Sequence, residues 1–193
     1  MYFAKGNAKQ KKLSEVAMIL GYLVEYNSDL FTGIAYTQTQ TLYTPASKQR
    51  YAIESFAQSL YDAPLLHSKL SFSLAIQDLF VRLSKPSLLF ILGDFMEEID
   101  LSLLAQKHKI IAIIIREREE EFPKYLGEKN LKNPENKEVI QSYFGKKSMQ
   151  YYLNKLQSHE GKRQKHFQKY GIKSIKIFCD EDIVQKLIQG LKQ

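Results

Sequence analysis

A single cysteine, Cys179, in 193 residues leaves no internal disulfide to form. Such sparing use of thiols favours a reducing compartment. The four histidines stand at positions 67, 108, 159 and 166 and show no zinc-ligand spacing. Glycine-rich phosphate loops, zinc fingers and aromatic-interleaved RNA motifs are all missing. So are long hydrophobic runs: the longest, 88–92 and 110–115, fall far short of the roughly 20 residues that cross a bilayer. The N-terminus lacks a signal-peptide core. These absences predict a cytoplasmic protein with no membrane segment and no evident small-molecule substrate.

What is present is ordinary globular composition, 44% hydrophobic and 25% charged, in a chain long enough for one domain with a proper core. The net charge of +7 comes mainly from residues 5–12 and 146–176. Basic residues on a long helix are most often a solvated face, but they also suit an acidic partner; nucleic acid is the less favoured one.

The most informative stretch is SLLFILGDFM, residues 87–96. An apolar run preceded by Pro86 and stopped by Gly93-Asp94 reads as a strand buried on both faces of a parallel sheet. Asp94 then stands at its carboxyl end, the edge where open α/β sheets bind ligands. The competing reading is a turn or helix-capping aspartate.

Taken in order, helical spacing predicts a helix over 11–26, then a β-rich hairpin over 31–37 and 40–44, and helices over 50–60 and 70–83. After the strand at 88–92, a short helix over 99–107 leads to a second buried strand at 110–115, a βαβ crossover. Residues 116–124 read as a charged loop and 125–143 as an irregular or hairpin excursion. A long helix over 146–170, capped by Gly171, precedes a half-buried edge strand at 172–179 and a last helix at 181–191. The sum is a three-layer α/β sandwich with a mostly parallel sheet and one antiparallel edge pair.

This order, with Leu92-Gly93-Asp94-Phe95 closing the strand and Gln106-Lys107-His108-Lys109-Ile110-Ile111-Ala112 opening the next, resembles the bacterial family called domain of unknown function fifty-eight. Residues 116–123 are similar to its D-P-x-E-x-x-L-P stretch: Glu119 and Pro123 match by identity, while Arg116 stands for the Asp and Glu117 for the Pro. The resemblance implies a von Willebrand factor A-like domain over 1–193 that lacks its first central strand. Met1-Tyr2-Phe3 resembles the residues that follow the family's D-x-S-x-S loop, so the chain is expected to be N-terminally truncated or to be a natural short form. Physics favours truncation, because omitting a central strand leaves two apolar ladders unpaired.

Such domains hold a divalent cation at a metal-ion-dependent adhesion site. The resemblance implies Asp94 as one ligand. Leu70 stands where a Thr ligand belongs, and Ser71 serves only by a one-residue slip. The implied Mg2+ is therefore weakly held or absent. The implied function is a non-catalytic adaptor or partner of a MoxR-type AAA+ ATPase, with Lys146, Lys147, Lys155, Lys162 and Arg163 on the basic helix as partner-binding residues. The alternatives are a Mg2+-dependent hydrolase or nuclease using Asp94, and nonspecific nucleic-acid binding through the basic faces.

Overall fold

Ile110–Ile115 is six apolar residues with no polar side to turn toward water, and the fold buries both faces of the strand that carries them. The structure, a computed structural model, describes residues 8–37, 40–63, 71–123, 127–132, 139–144 and 146–192, with side chains described outside 124–147. Expectations resting on Met1–Phe3, Lys5, His67, Leu70 and Asn133–Asn136 lie outside the described residues, as do the side chains of Lys146 and Lys147.

Helix α1 (Ala8–Tyr26) buries Val16, Ala17, Leu20 and Gly21 at the expected helical spacing. The antiparallel pair β1 (Phe31–Tyr36) and β2 (Thr41–Ser47) follows, then α2 (Arg50–Asp62), which buries Ile53, Phe56, Ala57 and Leu60. Helix α3 (Phe72–Arg82) leads to β3 (Leu88–Gly93), which is not buried on both faces as expected: it is an edge strand, with Leu88 half exposed and the residues after it only part-buried. The helix expected over 99–107 is a single turn, α4 (Ser102–Ala105), before β4 (Lys109–Arg116). One turn, α5 (Arg118–Glu121), and an antiparallel hairpin, β5 (Gly127–Lys132) with β6 (Val139–Phe144), fill the irregular region. The long helix α6 (Lys146–Lys169), the strand β7 (Lys173–Phe178) and α7 (Ile183–Lys192) complete the order. Gly171, at φ 65°, takes the left-handed turn that stops α6.

The parallel sheet runs β3-β4-β7, with Phe90 opposite Ile111 and Ile113 opposite Ile175. Strand pleating sorts the side chains of β4 by parity. Ile111, Ile113 and Ile115 face Val16 and Leu20 of α1, Ile175 and Ile177 of β7, and Ile183 and Leu187 of α7. Ile110, Ala112 and Ile114 face Leu101, Leu104, Phe95 and Phe167, with Ile76, Leu79 and Phe80 of α3 at the margin. Helices thus cover both faces of a parallel sheet, which is the three-layer α/β arrangement.

One expectation about the sheet is not met. The hairpin β1-β2 is a separate two-stranded sheet and not the edge of a single mixed sheet. Ladder hydrogen bonds form only between strands in register about 4.8 Å apart, and among the described residues no strand lies between β1 and β3 to relay them. Side chains attach the hairpin to the body. Phe31, Ala35 and Leu42 pack with Ala17, Phe56, Leu60 and Leu92, and the Tyr36 hydroxyl donates to Asp78 of α3 at 2.8 Å.

Two tests follow from this packing. A Cβ on Gly21 would collide with the Ile53 side chain, so Gly21→Val is expected to lower stability by about 1–3 kcal/mol in urea unfolding. His108 is buried, and neither ring nitrogen has a hydrogen-bond partner among the described residues. Burial, and then the neighbouring Lys107 charge, hold its pKa below the usual 6.5. The unfolded chain therefore binds the extra proton, and stability falls as pH drops below about 6.5, by at most about 1.4 kcal/mol per pH unit. His108→Leu should flatten that part of the pH profile in urea melts; an unchanged slope would refute the assignment.

Candidate functional site

Because β3, β4 and β7 are parallel, their carboxyl ends share one side of the molecule, and the residues leaving them meet there: Asp94, Arg116-Glu117 and Cys179-Asp180. Parity continues past the strand ends. Asp94 follows Phe90 and Leu92 onto the α1 side, whereas Arg116 follows Ala112 and Ile114 onto the α6 side.

Asp94 accepts a hydrogen bond from the Met96 amide at 3.2 Å, which shapes the turn leaving β3. Between them Phe95 has φ 49°, a left-handed conformation uncommon for a bulky side chain. The turn drives its ring into the core, edge-on to Phe167 with centroids 5.9 Å apart. It also exposes the Phe95 carbonyl to two guanidinium groups, Arg163 at 3.3 Å and Arg116 at 3.5 Å. Arg116 is fully buried; it also reaches the Met96 sulfur, and its Nε has no hydrogen-bond partner among the described residues. Arg163 is part-buried and pairs with Glu160 at 3.1 Å.

On the α1 side, the ammonium of Lys9 lies between two carboxylates. It contacts Glu120, whose side chain is 2% exposed, and stands 3.4 Å from Asp94. Burial alone would lower the Lys9 pKa, but the charges of Glu120 and Asp94 outweigh it and hold the group above the usual lysine range. Glu120 is fixed further through its own backbone and side chain. Its Oε2 accepts the Glu117 amide at 3.0 Å in a capping box, and its carbonyl accepts the Tyr152 hydroxyl at 2.8 Å. Burial, then the Glu120 charge, raise the Glu117 pKa. Cys179 is pushed up to about 11 by burial and then by Glu117, so at neutral pH it is a protonated thiol and a poor nucleophile.

A second set of ion pairs braces the α6 side. Lys176 of β7 bridges Glu121 at 2.6 Å and Glu160 at 3.0 Å. Burial would raise the Glu160 pKa, but Lys176 and Arg163 together hold it below the usual carboxylate range. Arg118 joins Asp180 at 2.6 Å and Glu181 at 3.3 Å while stacking over Phe178.

Of the residues singled out from sequence, Asp94 stands at the carboxyl edge with half of its side chain exposed. Ser71 is the N-cap residue of α3, with its Oγ 3.3 Å from that of Ser73. Lys155 and Lys162 are exposed on α6, and Lys162 donates to Glu98 at 2.8 Å. Arg163 points inward to the Phe95 carbonyl. Among the described residues no group of three or more His, Cys, Asp or Glu side chains is arranged to hold a metal ion. Lys9, Arg116 and Glu120 were not singled out as site residues. Glu117-x-x-Glu120 departs from the Ser/Thr-x-x-Glu capping signature and matches it only at Glu120, a weak signal; the Lys9 pairing, across more than eighty residues, carried none.

Residues 1–162 match the family model described as protein of unknown function DUF58. Nothing among curated proteins or solved structures matches the chain. Among the described residues no helix is long and apolar enough to cross a membrane.

Arg163→Met removes both the bond to the Phe95 carbonyl and the Glu160 pair. It is expected to lower stability by about 1.5–3 kcal/mol in urea unfolding, whereas a merely solvated arginine would leave the midpoint within about 0.5 kcal/mol of the parent.

Proposed function

Because the chain belongs to the family of proteins of unknown function DUF58, we propose that it is a non-catalytic interaction module of von Willebrand A-like build. It docks onto an acidic surface of a MoxR-type AAA+ ATPase through the outer face of α6. The order of elements and the position of Asp94 beyond a parallel strand agree with that build. The observation that carries the docking role is the division of charge on α6. Arg163 and Glu160 turn inward and are consumed by the fold, whereas Tyr151, Lys155, Ser158, Lys162, Lys165 and Lys169 recur at alternating spacings of four and three and are all exposed. Among the described residues, Lys155 and Lys165 have no ion-pair partner, and the one exposed acid on this face's cations is Glu98 at Lys162. Tyr151, 72% exposed, adds an aromatic contact of the kind enriched at protein interfaces.

Charge recognition of this kind sets association rate and salt dependence more than raw affinity. Titration against a purified MoxR-type ATPase from the same cell should show binding at low salt that weakens steeply as salt rises. Reversing Lys155 and Lys165 to Glu should weaken binding roughly tenfold, about 1.4 kcal/mol, without moving the melting temperature. Absence of binding at low salt would sink the reading, and capture of a nucleic acid by the parent that the variant loses would move it to a different partner.

A further inference from the structure

We infer that the Lys9 ammonium is the resident cation of this domain's sheet edge, so that the edge neither needs nor accepts a divalent metal ion. The residues present do not fit Mg2+, which requires near-octahedral oxygen ligands. Of the two carboxylates that meet here, Glu120 has one oxygen committed to the Glu117 amide and the other to Lys9, and Asp94 faces the same ammonium at 3.4 Å. Ser71, which the family pattern offers among the described residues, has its hydroxyl against that of Ser73. A second cation, the fully buried guanidinium of Arg116, is bonded to Phe95 and Met96, the two residues that follow Asp94. It opposes the approach of another positive ion.

The ammonium has its own reason to be there. A carboxylate as deeply buried as Glu120 is unstable without a hydrogen-bonded counter-charge, and Lys9 supplies one from the first turns of α1. The pairing ties positions 9, 94 and 120 together and pins the start of α1 to the loops leaving β3 and β4. A tethered ammonium also leaves no open coordination position for a partner's carboxylate to complete. This inference stands apart from the docking role of α6 and does not rest on it.

The test is thermal unfolding of the full chain. With EDTA or with millimolar Mg2+ or Mn2+ the parent should melt at the same temperature, because a ligand that bound the native state would raise it. Lys9→Met should lower the melting temperature by roughly 5–10 °C, as expected for stranding a buried carboxylate whose partner is part-exposed. Lys9→Arg should stay close to the parent. The double variant Lys9→Met/Glu120→Gln, which removes both charges, should recover more than half of the loss, and it decides the matter even where Lys9→Met alone does not fold. A saturable rise of the parent's melting temperature with metal would overturn the inference. So would a double variant no more stable than Lys9→Met.

Discussion

The two-sided burial of β4 is the constraint on which the rest of the molecule depends. Its residues from Ile110 to Ile115 are all 5% exposed or less. A strand without a polar face has to be covered twice, so α1 and α7 lie on one side and α3, α4 and α6 on the other. Parallel neighbours supply its ladder hydrogen bonds on both edges, β3 at one and β7 at the other. The crossovers that parallel pairing demands bring the carboxyl ends of β3, β4 and β7 to the same side.

That side is where the apolar pattern stops and charge begins, and the change is abrupt: Ile115 is followed directly by Arg116 and Glu117. Charges so close to a dry core persist only when paired. Arg116 finds carbonyl and sulfur partners on the α6 side, and Glu120 finds Lys9 on the α1 side. The left-handed turn at Phe95 serves the α6 side, since it seats an aromatic ring in the core and presents its carbonyl to two arginines. The candidate site is thus continuous with the way the fold ends its central strand.

Helix α6 shows the same separation along a single element. With 24 residues and a mean composition rich in cations, it looks uniformly basic as a string of letters. Its 3.6-residue period turns Arg163 inward, where it braces the sheet edge, and leaves Lys155, Lys162, Lys165 and Lys169 as an exposed set for solvent or a partner. Arg163 and Lys162 are neighbours in sequence and belong to opposite sets, one held against the Phe95 carbonyl and the other on the surface against Glu98.

Local pattern alone determined the type and order of nearly every element. The apolar runs named β3 and β4, alternation named β7, helical periodicity placed α1, α2 and α7, and the Gly-Asp ending placed Asp94 at the carboxyl edge. These properties are written in neighbouring residues, because pleat and helical pitch act over two to four positions. What tertiary structure decided were relations between distant segments. Residues 88–92 read as a strand buried on both faces, yet β4 is the one so buried and β3 is a part-buried edge of the parallel sheet, since which of two apolar strands is flanked on both sides depends on partners and not on composition. The hairpin β1-β2 was legible as a hairpin, but its separation from the parallel sheet was not. The pairing of Lys9 with Glu120 and Asp94 had no signal at all, because a buried charge chooses its counter-ion by proximity in the folded chain, and that proximity exists only once α1 has packed against the sheet.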